Sequence, residues 1–407
     1  MRALLSTIGS RGDAQPLVAL ALQLRVLGHD ARLCVPPDFT DWIEGLGFSV
    51  APIGPPVRTS RGSSASTPPA PPTADQRRQM IEATVARQFD TLGSAAHGCD
   101  VIVAATALQV AARSIAEQLS LPYIFVAYSP NVLPSAHHAP APLPPVPGQP
   151  APPPTTDNRE LWAQSAARFN DTFGAALNAR RQMLGLPLVS DVRTYMCTER
   201  PWLAADATLA PWPEPADGAV FQTGAWILDD DRPLAREVHA FLDSGEPPVY
   251  FGFGSMRAPD DLGQAMLDAA RSVGRRAILS RGWADLSLVD SEPDCLVIGE
   301  ANLQALFPRV AAIVHHGGAG TTTLAAQGGA PQVIVPQIYD QHYWAQQIER
   351  LGIGVAHVHG IPGRDSLTSA LRRALTADVA ARAESIAGKI CLEGARAAAL
   401  RIVTADV

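Results

Sequence analysis

Apolar runs of strand length alternate with helix-patterned segments along both halves of this 407-residue chain. Residues 2–8 read as a strand, after which Leu17, Leu20, Ala21, Leu24 and Leu27 share one helical face closed by Gly28. Strands over 31–35, 48–53, 101–104 and 123–126 follow, with helices over 39–46, 108–119 and 158–184. At 209–232 the pattern gives way to Ala-Pro-Trp-Pro-Glu-Pro and Asp-Asp-Asp-Arg-Pro, the composition of a linker. It restarts with strands at 249–253, 276–279, 296–298, 310–314 and 332–335. Such βα alternation predicts an α/β fold of two Rossmann-like domains, each with a parallel sheet, facing across a cleft. The expected boundaries are 1–208, a linker at 209–232 and a second domain at 233–385. A last helix within 386–407 is expected to pack back on the first domain. Ligands of such sheets bind beyond the carboxyl ends of the strands, so the chemistry is sought in the loops that follow them.

Two stretches interrupt the pattern. Residues 54–74, rich in Pro, Ser, Gly and Thr, read as a long loop, and residues 130–154 hold eleven prolines, which excludes helix interior and central strand. Each is either plain surface or a loop lining a binding cleft, and His137 and His138 favour the cleft for the second. Five dispersed cysteines argue against a disulfide framework and against a zinc site. A net charge of −7 without basic clusters gives no reason to expect nucleic acid as a partner. No apolar segment approaches the ~20 residues that span a bilayer, and the N-terminus lacks a cleavable signal's layout. A soluble cytoplasmic protein without integral membrane association is the expectation.

The densest chemistry lies at 310–323, Val-Ala-Ala-Ile-Val-His-His-Gly-Gly-Ala-Gly-Thr-Thr-Thr. Gly317, Gly318 and Gly320 let the backbone approach a ligand closely, and Thr321 with the next two threonines offers N-capping hydroxyls to a helix. A glycine turn feeding a helix N-terminus suits an anion, above all a phosphate. The same glycines would also serve a simple tight turn. His316 at the lip is harder to explain that way, whereas His315 needs no role beyond packing.

After the first strand comes Gly9-Ser10-Arg11-Gly12-Asp13, where Ser10 and Arg11 can donate to phosphate oxygens. Asp13 suits either helix capping or general base catalysis, and both readings stand at this point. In the second half, Phe-Gly-Phe-Gly-Ser ends in Ser255, Ser-Arg-Gly-Trp ends in Trp283, and Gly-Glu-Ala-Asn carries Ala301. Trp283 can stack on a nucleobase or fill a core. Asp340 and Gln341 together supply the acceptors and donors needed to hold sugar hydroxyls.

This order of loops resembles the nucleotide-sugar glycosyltransferases of the two-domain GT-B fold, and with Gly-Ser-Arg-Gly-Asp it is most similar to the glycopeptide-antibiotic, vancomycin-type branch. Pro-Trp-Leu-Ala-Ala-Asp at 201–206 and Gln-Thr-Gly-Ala-Trp-Ile-Leu at 222–228 extend the resemblance over essentially the whole chain. The resemblance implies a diphosphate held by His316, Gly318, Gly320 and Thr321, assisted by Ser10, Arg11 and Ser255. It implies Ala301 and Trp283 near the base, Asp340 and Gln341 on the sugar, Asp13 as catalytic base, and His137 and His138 on the acceptor side. It further implies a UDP- or dTDP-sugar as co-substrate, a hydrophobic or peptide-like aglycone as acceptor, and inverting transfer of a hexose or deoxyhexose. Neither cofactor nor metal is expected.

Two other readings are open, a GT-B-fold sugar-nucleotide epimerase and a catalytically silent nucleotide-sugar-binding partner protein. A NAD-dependent dehydrogenase is disfavoured because the first strand lacks the Gly-x-Gly-x-x-Gly fingerprint.

Overall fold

A computed structural model describes residues 1–58, 73–106, 108–142, 153, 155–213, 220–254, 262–282, 292–357, 360 and 362–404. Two parallel sheets organise them. The first, in the order β3-β2-β1-β4-β5-β6-β7, comprises β1 (Arg2–Thr7), β2 (Asp30–Val35), β3 (Ser49–Pro52), β4 (Val101–Ala105), β5 (Tyr123–Ala127), β6 (Trp202–Leu203) and β7 (Phe221–Gln222). The second, in the order β10-β9-β8-β11-β12-β13, comprises β8 (Val249–Gly252), β9 (Ala277–Ser280), β10 (Cys295–Ile298), β11 (Ala312–His315), β12 (Gln332–Ile334) and β13 (Gly354–Ala356). In each, the order reverses beside the first strand, so β1 and β4 in one sheet and β8 and β11 in the other flank a switch point where ligands bind.

The strands read near-continuously apolar because both faces are covered. In the first sheet, Ala3, Leu5, Val103 and Ala105 meet helix α1 (Arg11–Val26) on one face. Leu4, Ile102 and Ala104 meet α2 (Ala74–Ala96) and α3 (Ala112–Leu119) on the other. The alternation follows directly from the strand's two-residue period. Helix α3 starts later than the sequence predicts, because the loop after β4 is held by Gln88 of α2, whose amide donates to the Leu108 carbonyl and accepts from the Ala111 N–H. The helix expected over 158–184 is divided by a π-helical stretch at Asn170–Gly174. The strand β7 falls inside the segment read as linker: proline-rich composition around it hides two residues that pair with Trp202 and Leu203.

A third apolar cluster joins the halves. Phe125, Leu133 and Leu203 from the first pack with Ile334, Trp344 and Ile348 from the second, the latter two on α5 (Gln341–Leu351). Full burial of each aliphatic side chain there contributes roughly 1.5–3 kcal/mol. The chain's last helix, α6 (Gly394–Val403), packs through Ala395, Ala398, Ala399 and Ile402 into the first half's core beside α1. The outgoing and returning segments lie side by side: Trp226 and Glu393 form an antiparallel bridge. A Cβ added at Gly394 would stand 2.3 Å from the Gly224 carbonyl oxygen. Among the described residues no helix is long and apolar enough to cross a membrane.

Candidate active site between the two halves

The turn from β11 into α4 (Ala319–Gln327) is braced from beneath by His315. This residue is fully buried; its Nδ1 accepts the Gly317 N–H at 3.1 Å. The proton therefore sits on Nε2, which donates to Gln332 Oε1 at 2.9 Å. Burial first, and His316 second, push its pKa down to about 3, so the ring stays neutral. Gly317 has φ +90°, and a Cβ there would lie 2.6 Å from Ile334 Cγ2. His316 is boxed between two glycines, since a Cβ on Gly318 would reach its Nε2 at 2.6 Å and one on Gly254 its Cε1 at 3.2 Å.

Helix α4 begins at Ala319, two residues before the threonines, with Gly318 at its cap and no side chain capping it. The expected capping by threonines is corrected accordingly. Thr322 and Thr323 lie inside the helix and donate back to the Gly318 and Ala319 carbonyls, both at 2.9 Å. The N–H groups of Ala319, Gly320 and Thr321 are left in the first turn, where a helix has no acceptors of its own. Gly320 is exposed, and a Cβ there would meet nothing within 4 Å. The fold itself does not require that glycine.

Opposite stands the turn from β1 into α1. Here the helix starts at Arg11, earlier than the apolar pattern suggests, because Ser10 and Asp13 form a capping box. Asp13 Oδ2 accepts the Ser10 N–H at 2.6 Å and the Ser10 hydroxyl at 3.1 Å. Gly9 makes room for this, as a Cβ there would lie 2.2 Å from Asp13 Oδ2. The Tyr128 hydroxyl donates to the Asp13 carbonyl at 3.1 Å. The Ser10 hydroxyl is thus engaged by Asp13. Arg11 donates to Glu300 Oε1 of the other half at 2.9 Å and lies 4.6 Å from the Trp42 ring centroid.

The loop between β12 and α5 completes the arrangement. Asp340 Oδ2 accepts the Trp344 indole N–H at 3.1 Å, and burial, then the charge of Asp13, raise its pKa to about 6. The two carboxylates therefore feel each other between the halves. Gln341 is buried, and its Oε1 accepts the Gln337 and Ile338 N–H groups at 2.8 and 3.2 Å, so it shapes the loop from within. Gly12, Pro16 and Tyr128 from one half and Ala319, Gly320 and Trp344 from the other line a single narrow crevice.

Other expected positions lie farther from this meeting point or outside the description. Ala301 is half-buried and packs on the cluster of Leu306 and Phe307. Ser255 and Trp283 lie outside the described residues, as does most of 143–154. His137 is exposed, its N–H donating to Ser135 Oγ at 3.0 Å. His138 donates Nε2–H to the Leu133 carbonyl at 3.0 Å, and its carbonyl accepts the Trp162 indole N–H at 2.8 Å. Its ring meets Trp162, Trp212 and Tyr343 edge-on, with centroids 5.8–6.3 Å apart. That ring ties its loop to both halves. Sequence reasoning gave His315 no role beyond packing and passed over Tyr128, Trp344 and Glu300; of these three only Trp344, one helical turn beyond Asp340, carried a readable signal. Among the described residues no three His, Cys, Asp or Glu side chains gather so as to hold a metal ion.

Known proteins match this geometry over its whole length. Residues 3–137 match the glycosyltransferase family 28 N-terminal domain, and residues 264–391 the C-terminal domain of erythromycin biosynthesis protein CIII-like proteins. Glycosyltransferase GtfE of Amycolatopsis orientalis is 48% identical over 98% of this chain and 96% of its own. Vancomycin aglycone glucosyltransferase of the same organism is 46% identical over 100% and 98%. Its dTDP-epi-vancosaminyltransferase is 42% identical over 95% and 93%. Among solved structures, the glycotransferase of kitacinnamycin superposes with a TM-score of 0.71 at 19% identity, covering 99% of this chain and 98% of its own. Glycosyltransferase VinC in complex with dTDP gives 0.66 at 19%, covering 100% of both. Those distant likenesses establish the GT-B fold, and the close relatives establish the rest: the chain belongs to the vancomycin-type glycosyltransferases and is a sugar-transferring enzyme.

Proposed function

We propose that the enzyme moves a hexose or deoxyhexose from a UDP- or dTDP-sugar to a hydroxyl of a glycopeptide- or lipopeptide-like aglycone, with inversion and without a metal ion. The observation that carries this reading is the meeting of the uncapped N-terminus of α4 with the Asp13-bearing N-terminus of α1 in one crevice. The relatives named for the vancomycin aglycone and for dTDP-epi-vancosamine supply the substrate classes.

In this mechanism Asp13 takes the acceptor proton as the hydroxyl oxygen attacks the anomeric carbon. The bond from that carbon to the nucleoside diphosphate breaks on the opposite face, and its electron pair stays on the β-phosphate. The N–H groups of Ala319, Gly320 and Thr321, the dipole of α4 and the ring of His316 stabilise that charge. Asp340 accepts from sugar hydroxyls in its ionised form. Gln341 acts by holding the loop that presents Asp340, and Arg11 with Ser10 fixes the opposite wall. Ser255, Trp283 and Ala301 serve the diphosphate and base, and His137 stands toward the acceptor.

Mass spectrometry of products from a panel of UDP- and dTDP-sugars with candidate aglycones tests the reading, with and without a chelator. Donor-dependent mass gain on the aglycone, unchanged by EDTA, is the expected result. Conversion of the donor without acceptor would instead assign an epimerase, and nucleotide binding with no turnover of any pair a silent partner.

A further inference from the structure

Four charged groups sit where the two halves and the linker meet. Arg11 is the first residue of α1, two positions ahead of Asp13, and it reaches Glu300 at 2.9 Å. Glu300 lies in the loop after β10. Two residues on, the buried Asn302 donates its amide to the carbonyls of Asp230 and Arg232 in the linker. Gln304 holds the same linker through the Asp230 N–H and the Leu228 carbonyl. Arg232 grips Asp230 with two parallel bonds of 2.8 and 2.7 Å.

These groups act on one another as a cluster. The Asp230 carboxyl is held below its ordinary range by its bond to Arg232 first, with Arg11 adding from the other half. Arg232 is raised by Asp230 first, with Glu300 adding. Cations and anions therefore alternate from α1, through the donor-side loop, to the linker. The Arg11 guanidinium is steadied from behind by the Trp42 face at 4.6 Å and by Gln15 at 3.4 Å. Side-chain exposures of 35% for Arg11 and 65% for Glu300 make the pair a weak source of stability. Its worth is geometric, because it links the base-bearing helix directly to the donor-side loop.

We propose that Glu300 is a positioning residue for sugar transfer: by holding Arg11 it fixes the N-terminus of α1, and Asp13 with it, over the donor-side turn. Its kinetic consequence rests on Asp13 acting as the base; the geometric consequence does not. Glu300→Gln and Glu300→Asp are compared with the parent enzyme by steady-state kinetics and by small-angle scattering. Glu300→Gln is expected to lower kcat about tenfold, short of the ~10²-fold that a 1 Å misplacement can cost. The KM for the acceptor and the Tm stay as in the parent, the radius of gyration grows, and Glu300→Asp recovers most of the rate. Raising salt to 1 M, where the Debye length is about 3 Å, slows the parent by a larger factor than it slows Glu300→Gln. Unchanged kcat in Glu300→Gln overturns the proposal, whether or not the scattering changes. Lost kcat with unchanged scattering and an unchanged salt response overturns it equally, since Glu300 would then act otherwise than by holding the halves.

Discussion

At the β1–α1 turn the chain closes its own helix end: Asp13 folds back onto Ser10, and the positive end of α1 holds a carboxylate supplied by the fold. The β11–α4 turn has the same strand, glycine turn and helix, yet Gly318 at its cap offers no side chain and the first amides stay open. One end is filled by a carboxylate of its own helix; the other has no side chain at its cap. The difference shows that the same local motif is closed or left open by the residue at the cap and by the residue three positions on. The helix dipole favours negative charge in both.

Removing either anion site separates the two roles. Asp13→Asn keeps an acceptor for Ser10 and so keeps α1 capped. It is expected to lose ~10²–10⁴ in kcat, as for a general base, while calorimetry shows nucleoside diphosphate bound as tightly as before. His316→Ala should lose on the order of 10²–10³ in kcat and weaken the nucleotide too. Equal loss of nucleotide affinity in both variants would merge the two ends into one site. The glycines sharpen the contrast further. Gly317→Ala must place a side chain at φ +90° against Ile334 and is expected to cost about 1–3 kcal/mol in denaturant melts. Gly320→Ala meets nothing in the protein and should raise stability by up to about 1 kcal/mol, yet weaken nucleotide binding at least tenfold by crowding the open amides. Intact binding in Gly320→Ala would show that the ligand keeps its distance from that turn.

The smallest effect concerns Asp340. Its folded pKa of about 6 lies above the ordinary carboxylate value of 3.8, so the native state holds this proton more tightly than the unfolded chain. The resulting stabilisation is full below about pH 4 and fades as pH rises through 6. Asp340→Asn should therefore flatten the dependence of Tm on pH between 4 and 6. An unchanged slope would remove Asp13 and burial as the cause.

Much of this fold is readable in the sequence. The strands follow their apolar runs because a sheet covered on both faces leaves few polar positions, and 31–35 and 123–126 differ from β2 and β5 by one residue each. The glycine turn was legible because Gly317, Gly318 and Gly320 directly follow an apolar strand-length run. Helix starts were not. Both α1 and α4 begin ahead of their apolar faces, at caps made by Ser10 with Asp13 and by bare Gly318, and hydrophobic periodicity carries no information about a first turn. His315 was illegible for another reason: its partners, Gly317 two residues on and Gln332 on the neighbouring strand, become neighbours only once β11 and β12 pair. The Arg11–Glu300 contact spans 289 positions and obeys no local rule at all.

The side-by-side passage of the chain at Gly224 and Gly394 bears on how such an enzyme moves. Two strands crossing at separate places would act as a pair of straps and hold the halves at a fixed pitch. Here the outgoing and returning segments are in backbone contact, joined by the Trp226–Glu393 bridge, and so form one pin. Any rotation of one half against the other would turn about that pin and open or close the crevice lined by Gly12, Pro16, Ala319 and Gly320 like a pair of shears, with α6 carried as part of the first blade.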